Sequence, residues 1–194
     1  MLSSPPLILA FDTSAAQCAV ALLKGNQVLS SVIKGMTKGQ SECLLPMLGN
    51  ALKTTGNSWQ NLDLIAVGIG PGNFTGVRIA VATARGLALA LGVRTQGVST
   101  FEALAYGTKG AFQVVLDGRR GQVFVQNFND AVAVGAPEIL KKSIDINIQN
   151  PPCAENIARF AAMNIEMDMP RPAPMYLRSA DAALSREPAP TILP

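Results

Sequence analysis

LILAFDTSAAQCAVALLKGNQVLSSVI, residues 7–33, decides the fold. Residues 7–11 form an unbroken apolar run that enters the polar Asp12-Thr13-Ser14, the pattern of a buried strand ending in a turn. Residues 18–23 and 28–33 are two further strand-like runs, and the Lys24-Gly25-Asn26-Gln27 between them carries a Gly-Asn hairpin signal. Three strands with short connections predict an antiparallel meander at the start of the chain.

Outward from that meander the period changes. Leu44, Leu45, Leu48, Ala51 and Leu52 recur at helical spacing and predict a helix over residues 40–54, with Pro46 kinking it or limiting its first turn and Gly56 as its C-terminal cap. Residues 63–69 read as a buried strand that runs into Gly70-Pro71-Gly72-Asn73-Phe74-Thr75-Gly76. A helix over 77–91 follows, rich in small residues (Ala80, Ala82, Ala84, Gly86, Ala88, Ala90) and closed by Gly92. A strand at 93–98 and a short helix at 101–106, capped by Ser99 or Thr100, complete the order βββαβαβα of an α/β fold. Gly107–Gly110 marks a boundary between a lobe of residues 1–108 and a shorter lobe of 109–194. The second begins with strands at 112–116 and 122–128, a reduced repeat of the β-first pattern, and 130–149 is weakly patterned. A helix over 155–163 follows, and the Pro- and Ala-rich 170–194 is expected to be extended.

The 194 residues include no histidine, and only 15% are charged, against about 25% in average domains. Without imidazole there is no Ser-His-Asp or Cys-His pair, no histidine metal site and no histidine base. Residues 1–110 hold eight basic and four acidic residues and the remainder eight and nine; the bases are scattered in sequence, so at most a weak nucleic-acid contact is expected. Cys18, Cys43 and Cys153 form no C-x-x-C motif, and with no visible signal peptide a reducing cytoplasm is expected. The apolar 77–91 is interrupted by Arg78 and Arg85 and reads as too short to span a membrane.

Two loops invite a ligand reading. Gly70, Gly72 and Asn73 belong to a strand–glycine turn–helix layout that can cradle an anion on free helical N–H groups. The P-loop lysine is missing and no acid follows to hold a ribose, so neither a P-loop nor a dinucleotide fingerprint is complete. The same residues serve equally as a packing turn, with Asn73 or Thr75 capping the helix. Asp12, Thr13 and Ser14 stand where a βββαβαβα lobe of an actin-like ATPase or sugar kinase carries its first phosphate loop, yet no glycine follows to wrap a phosphate. The alternatives are a structural turn and an independently active ATPase or small-molecule kinase using Asp12. Asp117-Gly118-Arg119-Arg120 reads as a charged hairpin turn, and Trp59, Tyr106 and Tyr176 as isolated aromatics.

ILAFDTSAAQCAVAL (8–22), QSECLLPML (40–48) and VGIGPGNFTGVRIAVATARGLALALG (67–92) resemble the bacterial TsaB (YeaZ) family, with weaker matches at VVLDGRRGQVFVQ (114–126) and Pro174-Met175-Tyr176-Leu177-Arg178. The resemblance implies an actin-like/Hsp70-type (ASKHA) two-lobed fold. It implies a role in forming threonylcarbamoyladenosine next to the tRNA anticodon, without an active site, cofactor or metal of this chain's own. A paralogue, TsaD, would hold ATP, metal and the transfer chemistry, and the ATPase TsaE would join. Pairing with TsaD, or self-association as a homodimer, would use the two helices. The candidate interface residues are Glu42, Leu44, Leu45 and Leu48 on the first and Phe74, Thr75, Arg78, Val81, Ala84, Arg85 and Ala88 on the second. tRNA would be met only through the complex, and no membrane is implied. The sequence departs from the family at Gln40, usually His, and at Asn73 and Ala80, often Ser and Gly.

Overall fold

Leu7, Leu9 and Phe11 point to one side of a sheet and Ile8 and Ala10 to the other, and this period of two sets the layers. The computed structural model describes residues 4–143, 147–149 and 153–178. In chain order the first lobe holds β1 (Leu7–Asp12), β2 (Gln17–Lys24), β3 (Gln27–Gly35), α1 (Gln40–Thr54), β4 (Leu64–Gly68), α2 (Phe74–Leu91), β5 (Arg94–Val98) and α3 (Thr100–Ala105). The second holds β6 (Ala111–Arg119), β7 (Gln122–Asn129), β8 (Val132–Lys141) and α4 (Ala154–Met163). The βββαβαβα order of the actin-like lobe is therefore present, with strands arranged β3-β2-β1-β4-β5. β1, β2 and β3 pair antiparallel across the Gly25-Asn26 turn and the Thr13–Ala16 connection, while β4 and β5 add in parallel.

α1 and α2 cover one face of this sheet. Leu44, Leu48, Ala51 and Leu52 of α1 and Ala80 and Ala84 of α2 pack on Leu9, Phe11, Val20, Leu22, Ile65 and Val67. α4 covers the other face, where Ile157, Ala158 and Ala161 meet Ile8, Ala10, Ala66 and Val98. The chain thus leaves the first sheet near 108, builds a second sheet of order β6-β7-β8, and then returns to the first. The expected boundary at 108/109 falls between the two sheets, yet α4 belongs by packing to the first one.

Three local readings need correction. α2 begins at Phe74 rather than 77, because the Asn73 side chain accepts from the Gly76 N–H at 3.0 Å and caps the helix there. At 18 residues it is long and apolar enough to cross a membrane by length and composition, contrary to the expectation; its sheet-facing residues are nevertheless buried as in a core helix, and it carries Arg78 and Arg85. β8 lies in the stretch that seemed unpatterned: nearly all its residues are exposed, so it is held by pairing with β7 rather than by burial, and Gly135 and Pro137 interrupt any alternation. α1 continues through Pro46, and Gly56, left-handed at φ 69° directly after Thr55, closes it as expected. Of the extended tail, 170–178 is described and 179–194 lies outside the described residues.

Leu45 and Leu48 lie one turn apart on α1, the first at the edge of the buried stripe and 50% exposed, the second within it and fully buried. Leu48→Ala is expected to cost about 2–5 kcal/mol and Leu45→Ala well under about 1 kcal/mol, as read from urea unfolding midpoints at constant slope.

Candidate functional site

Asp12 ends β1 where the chain must turn, and its carboxylate serves the turn. One oxygen accepts from the Ser14 N–H at 2.6 Å and the other from the Ser14 hydroxyl at 2.8 Å. The neighbouring β4 ends at Gly68, where a Cβ would stand 2.2 Å from Asp12 Oδ2. Burial pushes the Asp12 carboxyl above the ordinary carboxylate range, with the two Ser14 hydrogen bonds opposing it.

The second loop packs directly on the first. The Thr13 hydroxyl donates to the Gly76 carbonyl at 2.7 Å, and the Asn73 N–H donates to the Ser14 carbonyl at 2.6 Å. A Cβ on Gly76 would lie 1.8 Å from the Thr13 carbonyl oxygen, and one on Gly72 2.6 Å from that of Ser14. These glycines admit a neighbouring backbone. The turn is tied on its other side as well: Thr100 N–H donates to the Gly70 carbonyl at 2.8 Å and the Thr100 hydroxyl to Pro71 at 3.0 Å. The structure therefore brings Asp12, Thr13, Ser14, Gly70, Gly72 and Asn73 together, as two loops braced against each other.

Beside them a cleft of about 890 Å³ opens between the two sheets. Ser14, Gly72 and Thr100 line it from the first sheet, and Leu116, Arg119 and Phe124 from the second. Phe74 and Arg78, at the start of α2, face it rather than the outer helix surface. The Arg78 guanidinium lies 3.6 Å from the Phe74 ring centroid, and its Nε donates to the Tyr176 hydroxyl at 2.7 Å. Tyr176, an isolated aromatic in the sequence, rests 5.1 Å from Phe74 between centroids. It is carried there by the extended 170–178 segment, whose Met175 N–H donates to the Ile69 carbonyl at 2.8 Å. Only the short match at 174–178 pointed to this segment. A smaller cavity of about 620 Å³ lies beside β5, lined in part by buried Gln96, whose Nε2 has no partner among the described residues.

The outer surface of α1 and α2 is a second candidate site. Glu42, Leu45, Thr75 and Arg85 are exposed there, and Ala88 is half-buried. Leu44, Leu48, Val81 and Ala84 are buried in this structure, the first two and Ala84 in the core against the sheet. Helical spacing gives a stripe but not its direction. The exposed large apolar residues of these helices besides Phe74 are Leu45 on α1 and Leu89 on α2, the latter 86% exposed, with Ala82, Gly86 and Ala90 also exposed on α2; Arg85, Gly86, Ala88 and Leu89 also border the cavity beside β5. Ser41 donates to Glu42 at 2.7 Å and holds that carboxyl below its ordinary range. Gln40, where the resemblance expects His, donates to the Met36 carbonyl at 3.3 Å and stays at the helix start.

Gly76→Ala is expected to destabilise by about 3 kcal/mol, because the obstructing atom is a backbone carbonyl that cannot rotate away; chemical denaturation reads it. Asp12→Asn tests the buried carboxyl. A folded-state pKa raised above the unfolded value favours folding fully below the unfolded pKa, and this contribution is lost as pH rises through the folded pKa. Asn keeps an acceptor for the Ser14 N–H and carries no charge. The stability of Asp12→Asn relative to wild type should therefore improve from acid to neutral pH; a difference flat with pH would refute the assignment.

The family model described as TsaD, tRNA N6-adenosine threonylcarbamoyltransferase, matches residues 27–185. The tRNA threonylcarbamoyladenosine biosynthesis protein TsaB of Escherichia coli is 38% identical over 122 residues, covering 60% of this chain and 52% of that protein. The TsaB of Bacillus subtilis is 37% identical over 120 residues, with the same two coverages. The chain thus spans about half the length of these curated relatives. An uncharacterised protein of Mycobacterium tuberculosis is 29% identical over 198 residues, covering 90% of this chain and 93% of its own. Among solved structures, YeaZ from Pseudomonas aeruginosa superposes with a TM-score of 0.73 at 25% identity, over 89% of this chain and 100% of that one. The family match takes in most of the chain, the YeaZ superposition covers both lobes, and the chain belongs to the TsaD-type family and, within it, to the TsaB/YeaZ proteins.

Proposed function

We propose that this protein is a non-catalytic, partner-binding subunit in the formation of threonylcarbamoyladenosine in tRNA. Its partner would be a TsaD-type paralogue that supplies ATP, metal and the transfer chemistry, with a TsaE-type ATPase joining the assembly in the cytoplasm. The observation that carries the reading is the apolar surface these helices leave exposed, Leu45 on α1 and, on α2, Leu89 with Ala82, Gly86 and Ala90. Small residues let another helix approach closely, and an uncovered apolar face marks a contact surface. In the absence of the paralogue a second copy would use the same face. An ATPase or kinase working from Asp12 is the weaker reading. Both Asp12 oxygens are taken by Ser14, and the Gly70–Gly76 turn packs its backbone directly on Thr13 and Ser14.

Leu89→Glu and Leu45→Glu place charges on the outer face without touching the core. Each is expected to weaken co-purification with the TsaD-type partner by about tenfold or more and to lower threonylcarbamoyl transfer in a reconstituted reaction. Retained pairing in both variants would remove these helices as the interface, and transfer that proceeds equally well without this chain would overturn the function. Ala84→Glu is not a substitute, since it buries a charge against the sheet.

A further inference from the structure

Arg78, Arg119, Lys141, Lys142 and Arg178 are scattered in sequence, and the fold gathers them along one border of the molecule. Arg119 stands in the β6–β7 turn. Gln122, across that turn, pairs with Lys141 at the end of β8, and the Lys142 N–H donates to the Gly121 carbonyl at 2.8 Å. The 170–178 segment lays Arg178 over the same corner. Its guanidinium donates to the Arg119 carbonyl at 3.3 Å and to the Gln122 side chain, and lies 5.6 Å from the Phe124 ring centroid. Arg78 reaches the adjoining cleft from α2.

Asp117 is the carboxylate among the cleft's described lining residues, and it accepts from the Arg119 N–H at 3.1 Å; Glu138 lies further back on β8, opposite Val125. The turn keeps two arginines at φ 58° and 52°, a region that such turns usually give to Asn or Gly.

The same cleft offers an aromatic face. Arg78 and Phe74 cover each other and fix Tyr176, which remains 44% exposed. Cations along a groove for phosphates and a rigid aromatic ring for an unpaired base are the two parts of a single-strand nucleic-acid site. An acidic peptide would use the cations and leave the ring idle. We propose that the chain itself contacts RNA, with an unpaired loop nucleotide stacking on Tyr176 and the flanking phosphodiesters on Arg119, Arg178, Lys141 and Lys142. The proposal rests on the reading of the chain as a tRNA-modification subunit and gives that subunit a direct hold on the substrate class.

The test is fluorescence anisotropy of the full chain with a labelled stem-loop RNA across a salt series, with blunt duplex RNA, polyglutamate and ATP as comparison probes. Variants are first matched to wild type in melting temperature. The stem-loop is expected to bind more tightly than duplex or polyglutamate. Lys141→Ala with Lys142→Ala should weaken it about tenfold and lower the log–log salt slope by about 1.4. Tyr176→Ala should weaken it by about tenfold with the slope unchanged, Tyr176→Phe should bind as wild type, and Lys53→Ala on α1 should change nothing. No stem-loop binding at low ionic strength overturns the proposal, as does affinity indifferent to Tyr176 and the two lysines. Equal binding of polyglutamate would assign the patch to an acidic protein, and ATP that displaces the RNA would assign the cleft to a mononucleotide; either result also overturns it. Co-purification of the lysine variant with the TsaD-type partner is expected to be intact, so failure of the RNA contact and failure of the functional reading give different results.

Discussion

The approach of Gly76 to the Thr13 carbonyl is the constraint on which the rest of this structure depends. A helix start can lie against the end of β1 only if it brings no side chain there, and a Cβ at Gly76 would be 1.8 Å from that oxygen. The contact fixes where α2 begins, and the helix period then fixes which side of α2 is spent on the sheet. Val77, Ala80, Val81 and Ala84 are buried in consequence, and Ala82, Gly86 and Leu89 are left outside. Both candidate sites follow from this one packing choice: the outer helix face, and the cleft beside the two braced loops.

The same constraint decides what the turn after β1 does with its backbone. A loop that wraps a phosphate needs backbone N–H groups turned toward an empty space. In this chain the Ser14 N–H is held by Asp12, and the Asn73 N–H by the Ser14 carbonyl. The buried Asp12 carboxyl, pushed up in pKa, organises a turn. The hydrogen bonds of these two loops are thus closed within the protein.

The sequence made the first lobe legible because its strands alternate or run apolar and its helices are punctuated by Asn73, Gly92 and Ser99. α1 falls at residues 40–54, as its spacing predicts. What could not be read were features that depend on long-range placement. Leu44 and Leu45 are neighbours with equal hydropathy, and only the sheet beneath α1 buries one and exposes the other. β8 has no apolar rhythm because its stability comes from backbone pairing with β7. Tyr176 gains its meaning from Phe74 and Arg78, about a hundred residues away, through a segment that looks like a loose tail. The scattered bases are the plainest case, since charge density in sequence says nothing about which loops end at one corner.

That corner ties the two lobes together. α4 returns the chain to the first sheet, and the extended 170–178 then runs back over the cleft, fastened at Ile69 and Arg78 on one side and at Gln122 and Arg119 on the other. These ties join the two sheets along the border of the cleft, and Tyr176 and Met175 of the segment line it. A ligand that stacks on Tyr176 would add a contact to both the 170–178 segment and the start of α2, and α2 is the helix whose outer side is proposed to meet a partner. If both proposals hold, α2 touches the cleft at its start and the partner along its outer side, and such a shared rigid element is what lets one site bias the other.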